Sequence, residues 1–465
     1  MNGVNKKNKK ESTLTMQAKD RIIVAVDVDH PDKAITLVTK LGPIVGSFKI
    51  GLELITAMLA SILVGDEQTA LTNAQRIREL FRLLGRQFFW DGKFKDIPNT
   101  IGAVAKVVGQ VLKVGMFNVH ASSGIKGMMA AVTNKGESQV LAVTVLTSHE
   151  ENNAFLDYGA PSKAKVLQYA RDAKLAGCDG IICSPQELLL LDDQPELIGL
   201  KKITPGIRSL DDPPDDQKRT MSPREAILAG ADSLVIGRPI TKAVSPVEAV
   251  QKIIREIAIG LKERFHISLF NLAKIKFGAF KLKLHEKNPT APLSPVYLNI
   301  RDLPDWLYAL AGDILHDLVV QEEIGNFDYV IGIPKAGEPI GKAFAKAIGK
   351  PHLRIQKVEN EEGRHITSTI LDPFEKGKKV VLVDDLITKA DTKREAIKSV
   401  EENGLEVVAT LVLYDREQGG LKELNNEGRK VYAVAKISEA LEFFVSKGKI
   451  DFAKVQEIVD YIKAN

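Results

Sequence analysis

The sequence predicts two α/β domains, a (β/α)8 barrel over residues 21–260 and an open, mostly parallel α/β sheet over residues 276–465. Between residue 21 and about residue 240, eight short apolar or β-branched runs alternate with amphipathic, helix-like stretches. Eight such units in roughly 240 residues are typical of a closed barrel. The composition changes over residues 261–275, which we expect to be a linker.

The runs of the first half have continuous rather than alternating apolar character. Parallel strands that are covered by helices on both faces have this character. In chain order these runs are RIIVAVD, SFKIGL, QFFWDGK, MFNVHA, VLAVTVLTS, GIICS, KKITPGI and SLVIGRP. The second half favours an open parallel sheet, because five more runs are separated by helical stretches: FDYVIGIP, PHLRIQ, KKVVLVDDLI, EVVATLVLYD and VYAVAKI.

Polar residues or glycine end each of the eight runs of the first half. The carboxyl ends of barrel strands meet on one face, where active sites lie, so we expect these residues to share one site. They are Asp27, Lys49, Asp91 with Lys93, His120, Thr147 with Ser148, Ser184, Arg208, and Gly237 with Arg238.

The composition is that of a globular protein. Of the 465 residues, 44% are hydrophobic and 27% are charged, with a formal net charge of +4. The first 20 residues are polar and Lys-rich, and we expect a disordered leader there. Since no run of about 18 apolar residues occurs, we expect no membrane span and a cytoplasmic location. Cys178 and Cys183 stand beside an apolar run and are expected to be buried thiols.

Four charges lie within the six residues DGKFKD. Residues i and i+2 of a strand share a face, so we expect Asp91 and Lys93 to point together into the barrel mouth, with Asp96 on the following loop and Lys49 on the neighbouring strand. At about 4 Å and an effective dielectric constant near 20, each opposite pair is worth roughly 4 kcal/mol, which keeps the groups charged. A structural ion-pair network is one interpretation. Catalysis is the other, because buried ion pairs add little net stability.

The same segment points to a family. DGKFKDIPNT resembles the DxKxxDIPNT signature of the orotidine 5′-phosphate decarboxylases, and VAVD, FKIG, NVHASSG, AVTVLTS, ITPGIR, DQKR and VIGRP stand in that family's order across residues 21–258. The resemblance implies a TIM barrel that decarboxylates orotidine 5′-phosphate without a metal or an organic cofactor. A magnesium-dependent sugar-phosphate aldolase or decarboxylase of the same superfamily also has DxKxxD and is the alternative, although DIPNT and DQKR favour the pyrimidine enzyme.

The resemblance also implies roles for individual residues. Lys93 would donate the proton to C6 of the pyrimidine, and Asp91 would press its charge against the substrate carboxylate. Lys49 and Asp96 would complete the array, with Asp96 and Thr100 reaching the site of a second subunit. The other implied contacts are Asp27 with the ribose, Thr147 and Ser148 with the base, and Arg208, Gln217, Gly237 and Arg238 with the phosphate end.

One segment departs from this family. The stretch between GLELITA and the DGKFKD cluster is about ten residues longer than a βα unit requires. We expect an insertion in a loop or a helix, because the motifs on both sides are intact.

In the second half, VVLVDDLITKADTK at residues 380–393 reads as a strand that ends in two acids, a hydroxyl-bearing turn and the start of a helix. This geometry suits a ribose phosphate. Asp384 and Asp385 would face ribose hydroxyls or a bound magnesium, and the N–H groups of the turn would face the 5′-phosphate. The segment resembles the phosphoribosyl diphosphate motif of the type I phosphoribosyltransferases, which implies their α/β fold and a requirement for Mg2+.

Three further stretches resemble the orotate phosphoribosyltransferases over residues 276–465: FGAFKLKLHEKNPTAPLSPVYLNIRDL, GIPKAGEPIGKA and YDREQGG. The implied contacts fall into four groups. They are Lys283, Lys335, Arg354 and Lys357 with phosphoribosyl diphosphate; Tyr297 and Leu298 with the orotate ring; Thr388 and Arg416 with the orotate carboxylate; and Asp384, Asp385, Thr388, Lys389, Ala390, Asp391 and Thr392 with the ribose phosphate.

Two departures bear on this half. The loop TKADTK lacks the glycine common at this position and adds the charge of Asp391, which Lys389 and Lys393 are placed to offset. The catalytic loop, normally rich in RKxxK, reads LRIQKVENEEGRH and offers four candidate partners for a diphosphate: Arg354, Lys357, Arg364 and His365. A transferase fold that has lost catalysis, and only binds a nucleotide or supports oligomerisation, is the alternative here.

Together the two resemblances imply a bifunctional enzyme of de novo pyrimidine biosynthesis. The second half would join orotate to phosphoribosyl diphosphate, and the first half would decarboxylate the resulting orotidine 5′-phosphate to UMP and CO2. Both families generally work as dimers with shared sites, so we expect a homodimer or a larger homo-oligomer. The expected partners are these small molecules, and neither nucleic acid nor a membrane is expected, since no Lys/Arg stripe is interleaved with aromatic residues.

Overall fold

The computed structural model divides the chain into two compact units. One unit spans Ala18–Arg264, and the other spans Phe265–Asn465 together with Met16 and Gln17. The predicted limits of the domains and of the linker stay predictions, and most of the predicted leader lies outside the described residues. Those residues are 16–147, 151–208, 220–281, 290–360 and 363–464, with only the backbone described at 151–154, 357–360 and 363–368.

The first unit contains eight parallel strands that close into a barrel in chain order. The strands are β1 Ile22–Ala25, β2 Ser47–Gly51, β3 Phe88–Phe94, β4 Met116–His120, β5 Gln139–Val143, β6 Gly180–Ile182, β7 Lys201–Thr204 and β8 Ser233–Ile236. The barrel closes because β1 pairs with both β2 and β8. The predicted (β/α)8 barrel is therefore confirmed, and each predicted run overlaps one strand.

Side chains from alternate strand positions fill the barrel. Ile23 and Ala25 of β1 pack against Phe89, Leu141 and Val235 in one buried cluster. The residues between them face the opposite side of the sheet, which is why these strands need apolar residues at successive positions. Three members of this cluster, Ala25, Phe89 and Val235, also line a cavity at the strand ends.

Helices connect the strands of the barrel. The segment that is longer than a βα unit requires forms two helices, Leu52–Leu63 and Glu67–Leu84. The second of these is capped by Asp66, whose side chain accepts from the Thr69 N–H at 2.9 Å. The other helices of this unit are Pro31–Leu41, Pro98–Lys106, Gly124–Asn134, Glu151–Tyr158, Ser162–Ala176, Leu188–Asp192, Pro223–Leu228, Arg238–Thr241 and Pro246–Asn271, the last of which continues past Arg264.

The second unit contains a five-stranded parallel sheet. The strands of the unit, including those outside this sheet, are β9 Ile275–Phe280, β10 Ser294–Leu298, β11 Tyr329–Gly332, β12 His352–Leu353, β13 Ile355–Asn360, β14 Gly363–Ile370, β15 Lys379–Ile387, β16 Glu406–Asp415 and β17 Val431–Lys436. The sheet order β12-β11-β15-β16-β17, with every pair parallel, confirms the predicted open sheet. The helices are Asp305–Gln321, Gly337–Ile348, Asp391–Glu402, Gly420–Asn426, Ile437–Ser446 and Phe452–Ala464.

Two antiparallel strand pairs were not predicted. β9 pairs with β10, and β13 pairs with β14. The β9 sequence IKFGAF interleaves small and polar residues with apolar ones, and only Ile275 of this strand is buried. It therefore lacks the continuous apolar character by which the other strands were predicted. The segment LRIQKVENEEGRH, interpreted as a catalytic loop, contributes to β13 and β14.

The sequence also predicted that the chain has no membrane span and that its two cysteines are buried thiols. Across the residues that the structure describes, no helix combines the length and the apolar character needed to cross a membrane. Cys178 and Cys183 are free and buried, as predicted. Burial raises the pKa of each thiol to about 12, so both stay protonated and unreactive.

Candidate active sites

A charged network lies at the carboxyl ends of β2 and β3. The Lys49 ammonium lies 3.1 Å from Asp27 Oδ1 and 3.1 Å from Asp91 Oδ2. The Lys93 ammonium donates to both carboxylate oxygens of Asp91 at 2.8 Å. These side chains form one connected array in which Asp91 is held between two lysines.

Burial and charge act in opposite directions on this array. Burial favours the neutral form of Asp91, but the charges of Lys49 and Lys93 outweigh it and lower the pKa of the carboxyl group. Burial also favours a neutral Lys49, but Asp91 and Asp27 outweigh it and raise the pKa of the amine. Both groups therefore stay ionised at neutral pH, although the Asp91 side chain is only 6% exposed and that of Lys49 15%.

Asn118 of β4 belongs to this array and was not predicted. Its side chain is fully buried. Its amide NH2 donates to Asp91 Oδ1 at 2.6 Å, and its carbonyl oxygen accepts from the backbone N–H of Lys93 at 2.6 Å. The residue stands inside the motif NVHASSG but carries no charge and does not end its run. The signal that could have found it is a polar amide within a buried strand, since such a group needs partners.

The end of β3 departs from regular strand geometry. Lys93 has a φ of +47°, in the left-handed region, and the pairing of β3 with β4 shifts register between Trp90 and Phe94. A Cβ on Gly92 would lie 2.6 Å from the Phe94 ring and 2.7 Å from Trp90 Nε1, so any larger residue there would have to displace these rings. Asp91 and Lys93 thus meet as predicted, but across an irregular backbone rather than through strand alternation.

A cavity of about 270 Å3 opens beside the array. The array lies at β2 and β3, whereas Arg208 and Arg238 follow β7 and β8, so two arginines stand at a different part of the cavity wall. Ser148 and Gln217 lie outside the described residues. The predicted decarboxylase residues that line the cavity are Asp27, Lys49, Asp91, Lys93, Thr147, Arg208, Gly237 and Arg238.

Asp96 and Thr100 are not among the lining residues of this cavity. Both are exposed, and Asp96 Oδ1 accepts from the backbone N–H of Ile97 at 2.6 Å. Ile97, Val107 and Val111 on the same stretch of chain are 65%, 51% and 69% exposed. The two polar residues therefore stand on an exposed surface with several apolar neighbours.

The second unit has two carboxylates near the end of its central strand β15. The Lys393 ammonium lies 2.6 Å from Asp384 Oδ2 and donates to the Leu386 carbonyl oxygen at 2.6 Å. Asp384 and Lys393 are each only 5% exposed. Burial and then the charge of Asp384 raise the pKa of Asp385 to about 7. One carboxylate is thus neutralised by a lysine, and the other is close to its protonation point at neutral pH.

The predicted ribose-phosphate loop consists of a bend after β15, at Thr388, Lys389 and Ala390, and the first two residues of the following helix, Asp391 and Thr392. Lys393 does not offset the charge of Asp391, contrary to the prediction, because its buried ammonium is bound by Asp384. Asp391 instead lies 3.3 Å from Arg394. Lys389 is exposed.

Arg416, which follows β16, is buried. Its Nη2 lies 3.5 Å from Ser294 Oγ, and its buried Nε has no hydrogen-bond partner among the described residues. Burial lowers the pKa of the guanidinium, which nevertheless stays charged. A buried guanidinium with an unused donor is suited to an acceptor on a ligand.

Tyr297 and Leu298 are neighbours on β10, so they face opposite sides of the strand. Tyr297 is 36% exposed and Leu298 is 7% exposed. The ring of Tyr297 lies 5.7 Å from that of Phe280, centroid to centroid. Of the two residues, Tyr297 is therefore the one whose side chain is accessible.

The predicted diphosphate contacts are spread over several elements. Lys335 is exposed in the turn after β11. The Arg354 guanidinium is engaged by Asp372, with Nη2 2.8 Å from Oδ1 and Nε 3.0 Å from Oδ2. Outside the described part lie Lys283 and the side chains of Lys357, Arg364 and His365.

A magnesium ion in the second unit would have few protein ligands. No group of three or more His, Cys, Asp or Glu side chains is arranged to hold a metal ion within the described ranges. Mg2+ needs only one or two carboxylates when substrate phosphates supply other oxygens. Since Lys393 binds Asp384, Asp385 is the carboxylate best placed to supply such a ligand, and the residues fit an ion that arrives with a diphosphate.

Comparison with known proteins gives a match for each half. A family model described as "Orotidine 5'-phosphate decarboxylase / HUMPS family" matches residues 20–253, and one described as "Phosphoribosyl transferase domain" matches residues 307–434. The orotidine 5′-phosphate decarboxylase of Heliobacterium modesticaldum is 39% identical over 265 residues, which cover 54% of this chain and 100% of the relative. That of Syntrophomonas wolfei is 39% identical over 257 residues, covering 52% and 99%.

One solved structure matches both halves in fold. The UMP synthase of Leishmania donovani superposes with a TM-score of 0.52 at 19% sequence identity. The match covers 96% of this chain and 98% of that protein. The two chains thus share a fold.

Proposed function

Because the chain belongs to the orotidine 5′-phosphate decarboxylase / HUMPS family and carries a phosphoribosyltransferase domain, we propose that it converts orotate to UMP in two steps. First, N1 of orotate loses its proton to the solvent and bonds to C1′ of phosphoribosyl diphosphate in the second unit, while the bond from C1′ to the diphosphate oxygen breaks and diphosphate leaves. Second, the barrel removes CO2 from orotidine 5′-phosphate. The observation that carries the proposal is the array of Lys49, Asp91 and Lys93 beside a cavity lined by two arginines.

Decarboxylation breaks the bond between C6 of the pyrimidine and the carboxylate, and the electron pair remains on C6. The Lys93 ammonium, fixed on Asp91 at 2.8 Å, stabilises this negative charge and then gives its proton to C6. Asp91 is kept ionised by its two lysines and repels the substrate carboxylate until CO2 leaves. Lys93 regains a proton from water, so the cycle needs no cofactor.

Different residues of the cavity wall would contact different parts of the substrate. Asp27 is placed to accept from ribose hydroxyls, and Thr147, with Ser148, would contact the base. Arg208 and Arg238 suit a phosphate because a planar guanidinium donates two parallel hydrogen bonds. Gly237 and Gln217 would complete that end. Phosphate binding away from C6 can supply energy that positions the reacting carbon over Lys93.

A sugar-phosphate aldolase or decarboxylase is the second candidate for the barrel, because a DxKxxD barrel with a metal can carry out that chemistry. The 39% identical relatives named as orotidine 5′-phosphate decarboxylases favour the first candidate. A chelator distinguishes the two. Decarboxylation of orotidine 5′-phosphate should continue unchanged in EDTA, and loss of activity that added magnesium restores would favour the second candidate.

In the second unit, Asp384 and Asp385 would bind the ribose, and the segment from Thr388 to Thr392 would bind its phosphate. Arg416, with its unused buried donor, suits the orotate carboxylate, and Tyr297 suits the ring. Mg2+ bound with the diphosphate would neutralise the charge of the leaving group, with Asp385 as its protein ligand. A domain that only binds nucleotide is the competing proposal, because Lys393 occupies Asp384 and Arg354 is engaged by its own chain.

We propose a homodimer in which Asp96 and Thr100 complete the barrel site of the partner. Both residues are exposed and outside the cavity wall of their own chain. The exposed apolar side chains of Ile97, Val107 and Val111 would be covered by the partner. The expected location remains the cytoplasm, and the expected partners remain the small-molecule substrates.

Mixing two inactive variants tests the shared site. Lys93→Ala and Asp96→Asn each remove one residue of the proposed shared site. A dimer that contains one subunit of each variant therefore has one intact site and one site that lacks both residues. Equal amounts, refolded or co-expressed together, should recover about a quarter of wild-type decarboxylation, since half the dimers are mixed and each has one working site. No recovery from a preparation shown by sedimentation to contain dimers would place Asp96 in the site of its own chain.

Product analysis tests the proposed function as a whole. Purified protein is incubated with orotate, phosphoribosyl diphosphate and magnesium, and the nucleotides are separated by chromatography. UMP is the expected product. Orotidine 5′-phosphate alone would contradict the role of the barrel. Unconsumed orotate, together with decarboxylation of added orotidine 5′-phosphate, would favour a second unit that only binds nucleotide and does not catalyse transfer.

A further inference from the structure

We propose that Asn118 is a positioning residue that fixes the Lys93 ammonium over the Asp91 carboxylate. The proposal rests on decarboxylation at the barrel site but concerns a residue on a different strand from the array. Asn118 is fully buried. One end of its side-chain amide contacts the Asp91 carboxylate and the other end contacts the backbone N–H of Lys93, each at 2.6 Å. Its side chain contacts a carboxylate and a backbone N–H rather than the cavity.

The two hydrogen bonds require the two different ends of an amide. The Asn118 NH2 donates to Asp91 Oδ1, and the Asn118 carbonyl oxygen accepts from the Lys93 N–H. An ionised carboxylate in this place could not donate to Asp91, and an apolar side chain could form neither bond. Only a group with one donor and one acceptor in this geometry satisfies both partners.

The backbone at Lys93 explains why a side chain is needed. The β3–β4 ladder loses its register between Trp90 and Phe94, so the N–H of Lys93 has no regular strand partner. Lys93 also has a φ of +47°, a conformation that is strained for a residue with a side chain and persists only when its surroundings hold it. The Asn118 oxygen replaces the missing ladder acceptor and thereby stabilises this turn of the chain.

The consequence for the reaction is geometric. The turned backbone brings the Lys93 ammonium back to Asp91 only two residues away, at 2.8 Å from both oxygens. Without Asn118, the turn can relax toward extended geometry and the carboxylate loses a donor. Because a displacement of about 1 Å of a reacting group can cost roughly 100-fold in rate, we expect the loss in kcat rather than in substrate binding.

The first test is Asn118→Ala, with Ser138→Ala as the matched control. Ser138 is also a buried polar residue, but it precedes β5 and donates to the Val114 carbonyl oxygen at 2.6 Å, away from the array. The expected result is a decrease of about 100-fold in kcat for orotidine 5′-phosphate with KM changed less than about threefold. The control should change the unfolding temperature but not kcat. A kcat of Asn118→Ala within threefold of wild type would overturn the proposal.

The second test, Asn118→Asp, separates positioning from packing, since the volume is conserved. A protonated carboxyl group has the donor and the acceptor of the amide, whereas an ionised one lacks the donor. The variant should therefore approach wild-type kcat at low pH and fall below it as pH rises. Asp91 and Lys93 face this position from β3, Lys49 lies beyond Asp91, and His120 is two residues along β4.

Because these neighbours titrate in both proteins, the readout is the ratio of variant to wild-type kcat at each pH. A ratio that falls with rising pH supports the proposal. A ratio that stays constant between about pH 5 and about pH 9 overturns it. UMP binding and thermal unfolding are measured on the same samples to verify folding. If the wild-type chain does not decarboxylate orotidine 5′-phosphate at all, the proposed function fails instead, so the two failures are distinguishable.

Discussion

The barrel and the C-terminal sheet each bury a carboxylate beside a lysine, and the two surroundings differ in how completely the charge is compensated. In the barrel, Asp91 contacts Lys49, Lys93 and Asn118. In the sheet, Asp384 has Lys393 as its cation, while Asp385 next to it is raised to a pKa of about 7. The barrel array is electrostatically complete, whereas the acid pair of the sheet carries more negative charge than one lysine neutralises.

This difference corresponds to the chemistry proposed for each half. A carbanion at C6 is stabilised by charges that are already in place, because reorganising them during the reaction would cost energy. A transfer from a diphosphate brings additional cations and anions to the site with the substrate. Asp385 and the unused Nε of Arg416 are the groups that such a substrate would satisfy.

The largest expected effect is on the charged array of the barrel. Lys93→Ala removes the proton donor and should lower kcat/KM for decarboxylation by at least about 1000-fold, measured by the absorbance change of orotidine 5′-phosphate. Orotate consumption should be unaffected. Lys95→Ala, two residues along the same segment but outside the array, is the control, and an equal loss in that variant would contradict the special role of Lys93.

The next effect tests the buried ion pair of the sheet. Lys393→Met leaves Asp384 buried without its cation, which should destabilise the second unit by about 3–5 kcal/mol. Urea unfolding, followed by fluorescence and by retained decarboxylase activity, measures the change. Lys398→Met on the same helix, where the side chain is 79% exposed, should change stability by less than about 0.5 kcal/mol. Equal effects of the two variants would mean that the Asp384 pair adds nothing.

Arg416→Ala tests whether the buried guanidinium of the second unit binds orotate. Loss of a charged donor to the orotate carboxylate should lower kcat/KM for orotate transfer by about 100-fold, with decarboxylation unchanged. Arg429→Ala is the control, because Arg429 is bound to Glu401 at the surface. Unchanged transfer in Arg416→Ala would exclude it from the orotate site.

The last effect concerns pH. Burial raises the pKa of Asp385 to about 7, above its unfolded value, so the folded state binds more protons than the unfolded state between about pH 4 and pH 7. Stability from this group is present at low pH and is lost as pH rises toward 7, by at most about 1.4 kcal/mol per pH unit. Asp385→Asn should remove this slope from the unfolding free energy, and a slope unchanged in the variant would contradict the raised pKa.

The strands of the barrel were predictable because they are buried on both faces. Continuous apolar runs such as RIIVAVD and SLVIGRP leave little alternative to a parallel strand covered by helices, and β1 and β8 form within them. The β9–β10 and β13–β14 pairs were missed because their sequences, IKFGAF with SPVYL and IQKVEN with GRHITSTI, mix polar and apolar residues and lack the continuous apolar character of the barrel strands.

The candidate sites show the same limit at the level of side chains. Asp91, Lys93 and Lys49 were predicted to meet, and they do. Lys393 was expected to offset the charge of Asp391, yet its ammonium is bound by Asp384 and by the Leu386 carbonyl oxygen of β15. Tyr297 and Leu298 were given the same role, although adjacent strand residues face opposite sides.

The sequence by itself determined the two α/β folds, the strand ends that carry charge, and the residue types for each reaction, because burial and charge are written in composition and spacing. Only the tertiary structure decided which partner each charge has. Asn118 joins Asp91 to Lys93 from a neighbouring strand, and Lys393 reaches Asp384 from a helix nine residues later in the chain. Such contacts depend on the register and backbone angles of packed elements, and these are set by the fold as a whole.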